Sequence, residues 1–245
     1  MTAPDGASHP AAPALVVLDI GNTAVKVVAF DARGGVLSAD RIHCIPGLAL
    51  PPILSCGVPV VAVSVSDPNL ALVELALGRP LALLHPPAPD PTGTGLDRLC
   101  AAAAAHARAG GAAIAAGLGT AVTVDGVGDS GGFRGGFIAP GLHSAAAGLT
   151  AAAPRLPAPD LAPGPPFSGP GRSTRGALRG GFLLGFAGLV DRLIEELRAS
   201  AGGAEIPVFL HGGDADAVGP LLRTRCVAAP HLVAEGARLL FLARS

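Results

Sequence analysis

The 245-residue sequence contains no tryptophan and no tyrosine, and aromatic residues make up only 3% of it. Charged residues are also scarce, at 14%, and the formal net charge at pH 7 is −1. Without a basic excess the chain lacks the electrostatic signature of a protein that binds nucleic acid or an anionic membrane. We therefore expect neither nucleic acid nor a membrane as a partner.

The four cysteines do not form a CxxC pattern, which disfavours a thiolate metal site and favours buried free thiols in a reducing cytosol. Residues 1–13 contain Asp5 and no lysine or arginine, so they predict a disordered tail rather than a signal peptide. The longest uncharged stretches are interrupted by proline and glycine, whereas a membrane-spanning helix needs about 20 apolar residues. We expect a soluble, cytoplasmic protein.

Hydrophobic residues are plentiful, at 50%, and they form short runs separated by turns. The runs at 14–18 and 25–30 predict two strands on either side of a Gly21-Asn22 turn, a pair in which both residues tolerate positive φ. A plain hairpin is one interpretation. A phosphate-binding turn is the other, because Gly21, Asn22 and Thr23 offer backbone N–H groups next to the carboxylate of Asp19. Lys26, just beyond the turn, is the only lysine in the chain.

The remaining patterns predict an α/β chain with mixed sheets. Further strands are expected near Val36 and at 58–65, 81–84, 111–116, 133–138 and 206–210. Helices are expected at 48–54, at 70–78 with Ser66 or Asp67 as cap, at 99–109, 142–152, at 175–199 capped by Ser173 or Thr174, and at 215–223 and 232–242. Residues 85–94 and 154–170 are rich in proline and predict loops.

Asp97 lies where the helix at 99–109 begins. A carboxylate at that point can cap free N–H groups and is favoured by the helix dipole. The functional interpretation is a general base beside an anion-binding Arg98. Local chemistry alone favours the cap.

A second Gly/Thr turn, at 117–125, repeats the strand–turn–strand pattern of the first and predicts a second phosphate loop across a cleft from it. A glycine-rich hairpin is the alternative. Small residues at 135–141 permit the close approach of a flat ring or of a second backbone. The segment His211-Gly212-Gly213 suits a nucleotide base or ribose, or merely a tight turn.

These motifs occur in the order found in type III pantothenate kinases, and the resemblance spans nearly the whole chain after Pro13. It implies membership of the acetate kinase, sugar kinase, Hsc70 and actin superfamily. The implied fold is two ribonuclease-H-like (actin-like ATPase) domains with an interdomain cleft, which we place at 14–110 and 111–245. The implied activity is ATP-dependent phosphorylation of pantothenate to 4′-phosphopantothenate by a homodimer that uses Mg²⁺ with ATP.

The resemblance also implies a role for individual residues. Asp97 matches the general base, and Asp19 is the residue we expect to hold Mg²⁺. The matches also comprise two sets of binding residues. Those expected to bind ATP are Asp19 again, Gly21, Asn22, Thr23, Lys26, Gly119 and Thr120. Those expected to bind pantothenate are Gly95, Leu96, Arg98 and Thr174.

Three positions depart from the family pattern, and the mildest change is Ser173 in place of a common asparagine before Thr174. The family usually has an aspartate that binds a monovalent cation (K⁺ or NH₄⁺) where this chain has Gly117, so the potassium site is in doubt here. His211 stands where the family usually has threonine, and Asp125 is a candidate replacement for the missing carboxylate. An active kinase is the favoured hypothesis, and a non-catalytic nucleotide-binding or regulatory relative is the alternative.

Overall fold

The structure, a computed structural model, describes residues 12–85, 93–164, 169–201 and 205–244. The chain divides into two compact units, and each is described by itself. The first comprises the described residues of Met1–Asp97 together with Ala237–Ser245, and the second is Arg98–Gly236. The boundaries of this division fall inside two helices, Leu96–Ala109 and Leu232–Leu242. The predicted boundary lies at residue 110.

The first unit is built on a five-stranded mixed sheet. Its elements are β1 (Leu15–Ile20), β2 (Ala24–Phe30), β3 (Val36–His43), a 3₁₀ turn (Pro52–Ser55), β4 (Val60–Ser64), α1 (Asp67–Leu77), β5 (Ala82–Leu83) and the start of α2 (Leu96–Ala109). The strand order is β3-β2-β1-β4-β5. β1, β2 and β3 pair antiparallel, and β4 and β5 continue the sheet parallel to β1.

The second unit repeats this plan. Its elements after α2 are β6 (Ala113–Leu118), β7 (Ala121–Val127), β8 (Phe133–Pro140), α3 (Leu142–Ala152), α4 (Thr174–Ser200), β9 (Val208–His211), α5 (Ala215–Val218), a 3₁₀ turn (Gly219–Leu221), β10 (Val227–Ala228) and the start of α6 (Leu232–Leu242). The strand order is β10-β9-β6-β7-β8, with β6, β7 and β8 antiparallel and β9 parallel to β6. The repeat seen in the sequence is therefore a repeated sheet.

The central strands β1 and β6 are buried along their whole length and, apart from Asp19, carry no charged or polar side chain, a pattern typical of strands buried on both faces. All six residues of β1 and all six of β6 are buried. In the first unit, the side chains of β1 pack with the buried side chains of β2 and with Val73 of α1. In the second, the buried face of α4, including Phe186, Val190 and Ile194, lies against β6 and β7.

Local signals locate most helix ends correctly. α3 and α6 begin and end where predicted. α1 follows an extended Ser66, has Pro68 in its first turn, and ends at Gly78 with a φ of 67°, a left-handed cap that glycine adopts without steric cost. α4 is capped by Ser173, whose hydroxyl accepts a hydrogen bond from the Gly176 N–H at 3.1 Å.

Two expectations are wrong in detail, and one short strand was not predicted. The helix at 48–54 is only the 3₁₀ turn Pro52–Ser55, since Pro51 and Pro52 lack the N–H groups that a longer helix needs. The helix at 215–223 stops at Val218 and continues as a 3₁₀ turn that contains Pro220. β10 has only two residues, and no pattern predicted it.

All four cysteines are free, as expected, but burial holds fully only for Cys100, and Cys56 is exposed. Burial, together with the nearby Asp191 carboxylate, raises the pKa of the Cys226 thiol to about 11. Within the described ranges, no helix combines the length and the apolar character that a bilayer crossing needs. The predicted tail at 1–13 lies almost entirely outside the described residues, as does most of the loop at 85–94.

Candidate active site

The first Gly/Thr turn joins β1 to β2 as a tight hairpin. The Gly21 N–H donates to the Ala24 carbonyl at 3.1 Å, and Asn22 and Thr23 are exposed at the tip. Neither Gly21 nor Asn22 has a positive φ, so the conformational argument for this pair is wrong. The prediction of a hairpin is confirmed, and its tip presents short polar side chains and backbone to solvent.

Asp19 and Lys26 lie opposite each other in the β1–β2 pairing. Their side chains therefore point to the same face of the sheet, and the Lys26 Nζ is 3.4 Å from the Asp19 Oδ2. Burial raises the pKa of the Asp19 carboxyl, the Lys26 ammonium partly offsets this, and the carboxylate of Asp97 raises the pKa further. Two carboxylates and one ammonium thus interact at the base of the first turn.

Asn69 holds the first turn in place, and no sequence motif pointed to it. It lies in the first turn of α1, is 9% exposed, and its Nδ2 donates to the Gly21 carbonyl at 2.7 Å. The two residues are 48 positions apart. A polar residue at the buried start of a helix was the only signal available.

Replacement of Asn69 by alanine should loosen this turn. We expect the melting temperature to fall by about 2–6 °C, because the half-buried Gly21 carbonyl loses its partner at a cost of about 1–2 kcal/mol. We also expect ATP affinity, measured by calorimetry, to fall about tenfold. Leu75→Ala, on the exposed side of the same helix, should change neither quantity. Unchanged ATP affinity in Asn69→Ala would show that the turn does not bind nucleotide.

The segment Gly95-Leu96-Asp97-Arg98 forms the beginning of α2, which starts at Leu96. Asp97 is therefore the second residue of the helix and lies inside its first turn. Its position in the first turn still suits a negative charge, because the helix dipole is positive there. Together with its effect on Asp19, this position leaves the functional interpretation standing.

Arg98 is held by the buried carboxylate of Asp125 on β7. The Arg98 Nε lies 3.1 Å from both carboxylate oxygens, and its Nη2 lies 2.5 Å from Oδ1. Asp125 is 1% exposed, and the guanidinium carbon also lies 5.5 Å from the centre of the Phe133 ring. The absent side chain of Gly136 leaves room for this pair, since a Cβ there would collide with the Asp125 carboxylate. Asp125 therefore neutralises Arg98 and does not lie open to a metal ion.

The second Gly/Thr turn joins β6 to β7 and is packed against the start of α3. The Gly141 N–H donates to the Thr120 carbonyl at 3.0 Å, and the Ser144 hydroxyl donates to the same oxygen at 2.7 Å. A Cβ on Gly141 would collide with the carbonyls of Gly119 and Thr120. The small residues before α3 thus admit a second backbone, one of the two predicted alternatives.

The turn after β9 packs against the end of β6, at Leu118. Gly212 has a φ of 103°, and a side chain there would meet the Leu118 backbone. The Asp214 N–H donates to the Leu118 carbonyl at 3.1 Å, and the His143 Nε2 lies 3.3 Å from the Asp214 carboxylate. His143, Ser144 and Asp214 are polar neighbours of the second turn to which the sequence motifs assigned no role.

Thr174 is the first residue of α4 and is exposed. It lines a groove of about 390 Å³ whose other walls are apolar side chains and glycine backbone: Leu149, Ala177, Leu178, Gly181 and Phe182. The structure thus brings Asp19, Lys26 and Asp97 together in the first unit. In the second unit it places Gly119 and Thr120 beside α3, and Thr174 in the groove between α3 and α4.

The repeated sheets and their two Gly/Thr turns define an α/β chain with the actin-like ATPase fold. A crystal structure described as a Baf family transcriptional activator from Campylobacter jejuni aligns with a TM-score of 0.62 at 16% identity, covering 94% of this chain and 98% of that one. At that identity the likeness shows the fold alone.

Sequence comparison identifies the family. The type III pantothenate kinase family profile matches residues 81–196. A type III pantothenate kinase of Nocardia farcinica is 32% identical over 252 residues, covering 91% of this chain and 94% of the relative. One of Rubrobacter xylanophilus is 36% identical over 156 residues, covering 62% of this chain and 59% of the relative, so this alignment spans about three fifths of the relative's length. The chain belongs to the type III pantothenate kinase family.

Proposed function

We propose that the protein transfers the γ-phosphoryl group of ATP to the primary hydroxyl of pantothenate, the first step of coenzyme A biosynthesis. The observation that carries this proposal is the ion pair of Asp19 and Lys26 at the base of the first turn, 3.4 Å apart, with the Asp97 carboxylate near enough to raise the pKa of Asp19. Phosphoryl transfer depends mostly on positioning and charge neutralisation. A lysine, a metal-binding carboxylate and a second carboxylate to accept a proton supply these functions.

The residues at the first turn fit a magnesium ion. Mg²⁺ is usually bound through one or two carboxylates, with phosphate and water oxygens as the other ligands. Asp19 would hold it, because a nearby cation favours the ionised form of a carboxyl and so offsets the burial that raises the pKa of Asp19. Among the described residues no group of three or more His, Cys, Asp or Glu side chains could hold a metal, so the nucleotide would complete the ligand set. When bound, the ion neutralises charge on the ATP phosphates.

The chain's own groups then divide the work. Lys26 neutralises a phosphate, and the exposed tip of the first Gly/Thr turn, Asn22 and Thr23, orients the phosphate chain. The ATP contacts of Gly119 and Thr120 stay predictions. The carboxylate of Asp97 accepts the proton of the pantothenate hydroxyl, and the hydroxyl oxygen bonds to the γ-phosphorus. The bond from that phosphorus to the bridging oxygen breaks, and ADP leaves with the electron pair.

Asp97→Asn tests the proton-transfer role. An amide cannot accept the proton, so we expect kcat to fall by about 10²-fold or more, with ATP affinity within about twofold of the parent protein. Turnover is followed as 4′-phosphopantothenate formed from ATP, Mg²⁺ and pantothenate. Glu195→Gln, an exposed change of the same kind on α4, serves as the control and should leave kcat unchanged.

The same assay separates the two hypotheses. A non-catalytic nucleotide-binding or regulatory relative would bind ATP without forming product under any condition. Absence of turnover in every salt would contradict the kinase proposal. The presence of Asp19, Lys26 and Asp97 together favours the kinase, because a purely binding protein has no need of a proton acceptor.

The remaining expectations from the resemblance stay proposals. We propose a homodimer, supported by two large apolar side chains exposed in the second unit, Ile138 and Leu184. Pantothenate contacts from Gly95, Leu96, Arg98 and Thr174, and a cytoplasmic location, are likewise predictions.

A further inference from the structure

Three neighbouring strands place His211, Gly117 and Thr123 side by side. Gly117 of β6 is in register with Thr123 of β7 on one side and with His211 of β9 on the other. Residues paired across strands direct their side chains to the same face of a sheet. The side chains of Thr123 and His211 therefore flank the position above Gly117, two residues before the second turn.

That position has no room for a side chain. A Cβ on Gly117 would lie 2.7 Å from the Thr123 Oγ1, 2.8 Å from the His211 Cε1 and 2.9 Å from the His211 Nε2. Carbon atoms in packed interiors approach to about 3.5–4.0 Å, so even alanine would overlap the imidazole. His211 is 9% exposed, so protein atoms enclose most of its side chain.

The residues present therefore do not fit the monovalent-cation site of the family. That site needs a carboxylate at 117, and the imidazole of His211 occupies its space. The alternative carboxylate, Asp125, is bound by Arg98 through two guanidinium nitrogens. No step of the proposed reaction is assigned to a monovalent cation.

We infer that His211 fills the missing carboxylate's position, so that protein atoms alone hold the second turn and the protein needs neither K⁺ nor NH₄⁺. His211 acts as a positioning residue. The next residue, Gly212, packs against the Leu118 backbone, and Asp214 is hydrogen-bonded to it, so the end of β9 fixes the end of β6 that leads into Gly119. The consequence for turnover rests on the proposed kinase function, whereas the packing does not.

A stability cycle tests the packing. Gly117→Ala should lower the melting temperature by about 4–10 °C in the parent protein, as expected for overpacking. The loss should be smaller in a His211→Ala or His211→Thr background, where the two imidazole contacts are gone and the Thr123 Oγ1 contact remains. Gly126→Ala is the matched control. It lies on β7, and its Cβ would meet only ordinary contacts, the nearest at 3.7 Å. An equal cost of Gly117→Ala in all backgrounds would overturn the inference.

A salt comparison tests the independence from cations. ATP·Mg²⁺ affinity by calorimetry, melting temperature and kcat are measured in KCl, NH₄Cl and choline chloride at equal ionic strength. We expect ATP affinity and kcat to agree within about twofold, and melting temperatures within about 1 °C. A tenfold rise in affinity or kcat with K⁺ or NH₄⁺ would overturn the inference. Absence of turnover in every salt contradicts the kinase proposal instead, and affinity and melting temperature still decide this inference.

Discussion

Replacement of Asp19 by asparagine should reduce phosphoryl transfer by roughly 10³-fold or more, because the amide removes the charge expected to hold Mg²⁺ against the ATP phosphates. We expect Asp19→Ala to abolish activity for the same reason. Turnover and Mg²⁺-dependent ATP binding are the measurements. Asp40→Asn, at an exposed position of β3, is the control. Retained turnover in either Asp19 variant would mean that the metal is held elsewhere.

Asp19→Asn should also stabilise the ligand-free protein at neutral pH. Burial and Asp97 raise the pKa of the folded-state Asp19 carboxyl above its ordinary value. The folded state then binds more protons than the unfolded state, so stability falls as pH rises from the ordinary aspartate range, about 4, through the raised pKa. Asparagine carries no such cost. We expect the melting temperature of Asp19→Asn to exceed that of the parent by roughly 2–4 °C at pH 7.

The pH profile separates this explanation from a change in packing. The difference in melting temperature should shrink as pH falls and vanish near pH 4, where the parent carboxyl is protonated in the folded state. A lower melting temperature for Asp19→Asn at pH 7 would contradict the prediction. In that case the ion pair with Lys26 outweighs the cost of burying the charge.

Arg98→Ala should be the most destabilising of the substitutions considered, lowering the melting temperature by about 10 °C. It leaves the Asp125 carboxylate, 1% exposed, without its guanidinium partner, and breaking a buried pair in this way costs about 3–5 kcal/mol. Thermal unfolding in a calorimeter measures the loss. Arg192→Ala removes an arginine from an exposed ion pair on α4 and should shift the melting temperature by less than about 2 °C.

A double variant separates the structural role of Arg98 from its predicted contact with pantothenate. Arg98→Met combined with Asp125→Ala removes both charges, so we expect it to recover most of the lost stability. If Arg98 also contacts the substrate, the double variant keeps a raised KM for pantothenate with an unchanged ATP affinity. No recovery of stability would contradict the ion-pair explanation, and an unchanged KM would remove Arg98 from the substrate site.

The local parts of the fold followed from the sequence. Continuous apolar runs predicted the central strands β1 and β6, and helical spacing with a serine cap predicted α4. These elements were predictable because each depends on residues that are close in the sequence. The repeated strand–turn–strand pattern likewise predicted two similar sheets. The predicted helices at 48–54 and 215–223 are shorter in the structure, because their prolines lack the N–H groups that an α-helix needs.

The motifs around Asp19, Asp97 and Gly119 were sufficient for the sequence by itself to indicate the family and the chemistry of the first turn. Only the tertiary structure showed which side chains meet. Asn69 reaches Gly21, Asp125 holds Arg98, and His211 closes the space above Gly117. These contacts join residues 27 to 94 positions apart, and strand order and register determine them. The spacing of residues along the chain does not predict that register. The structure was therefore needed to show that Gly117 and His211, two of the departures from the family pattern, lie side by side.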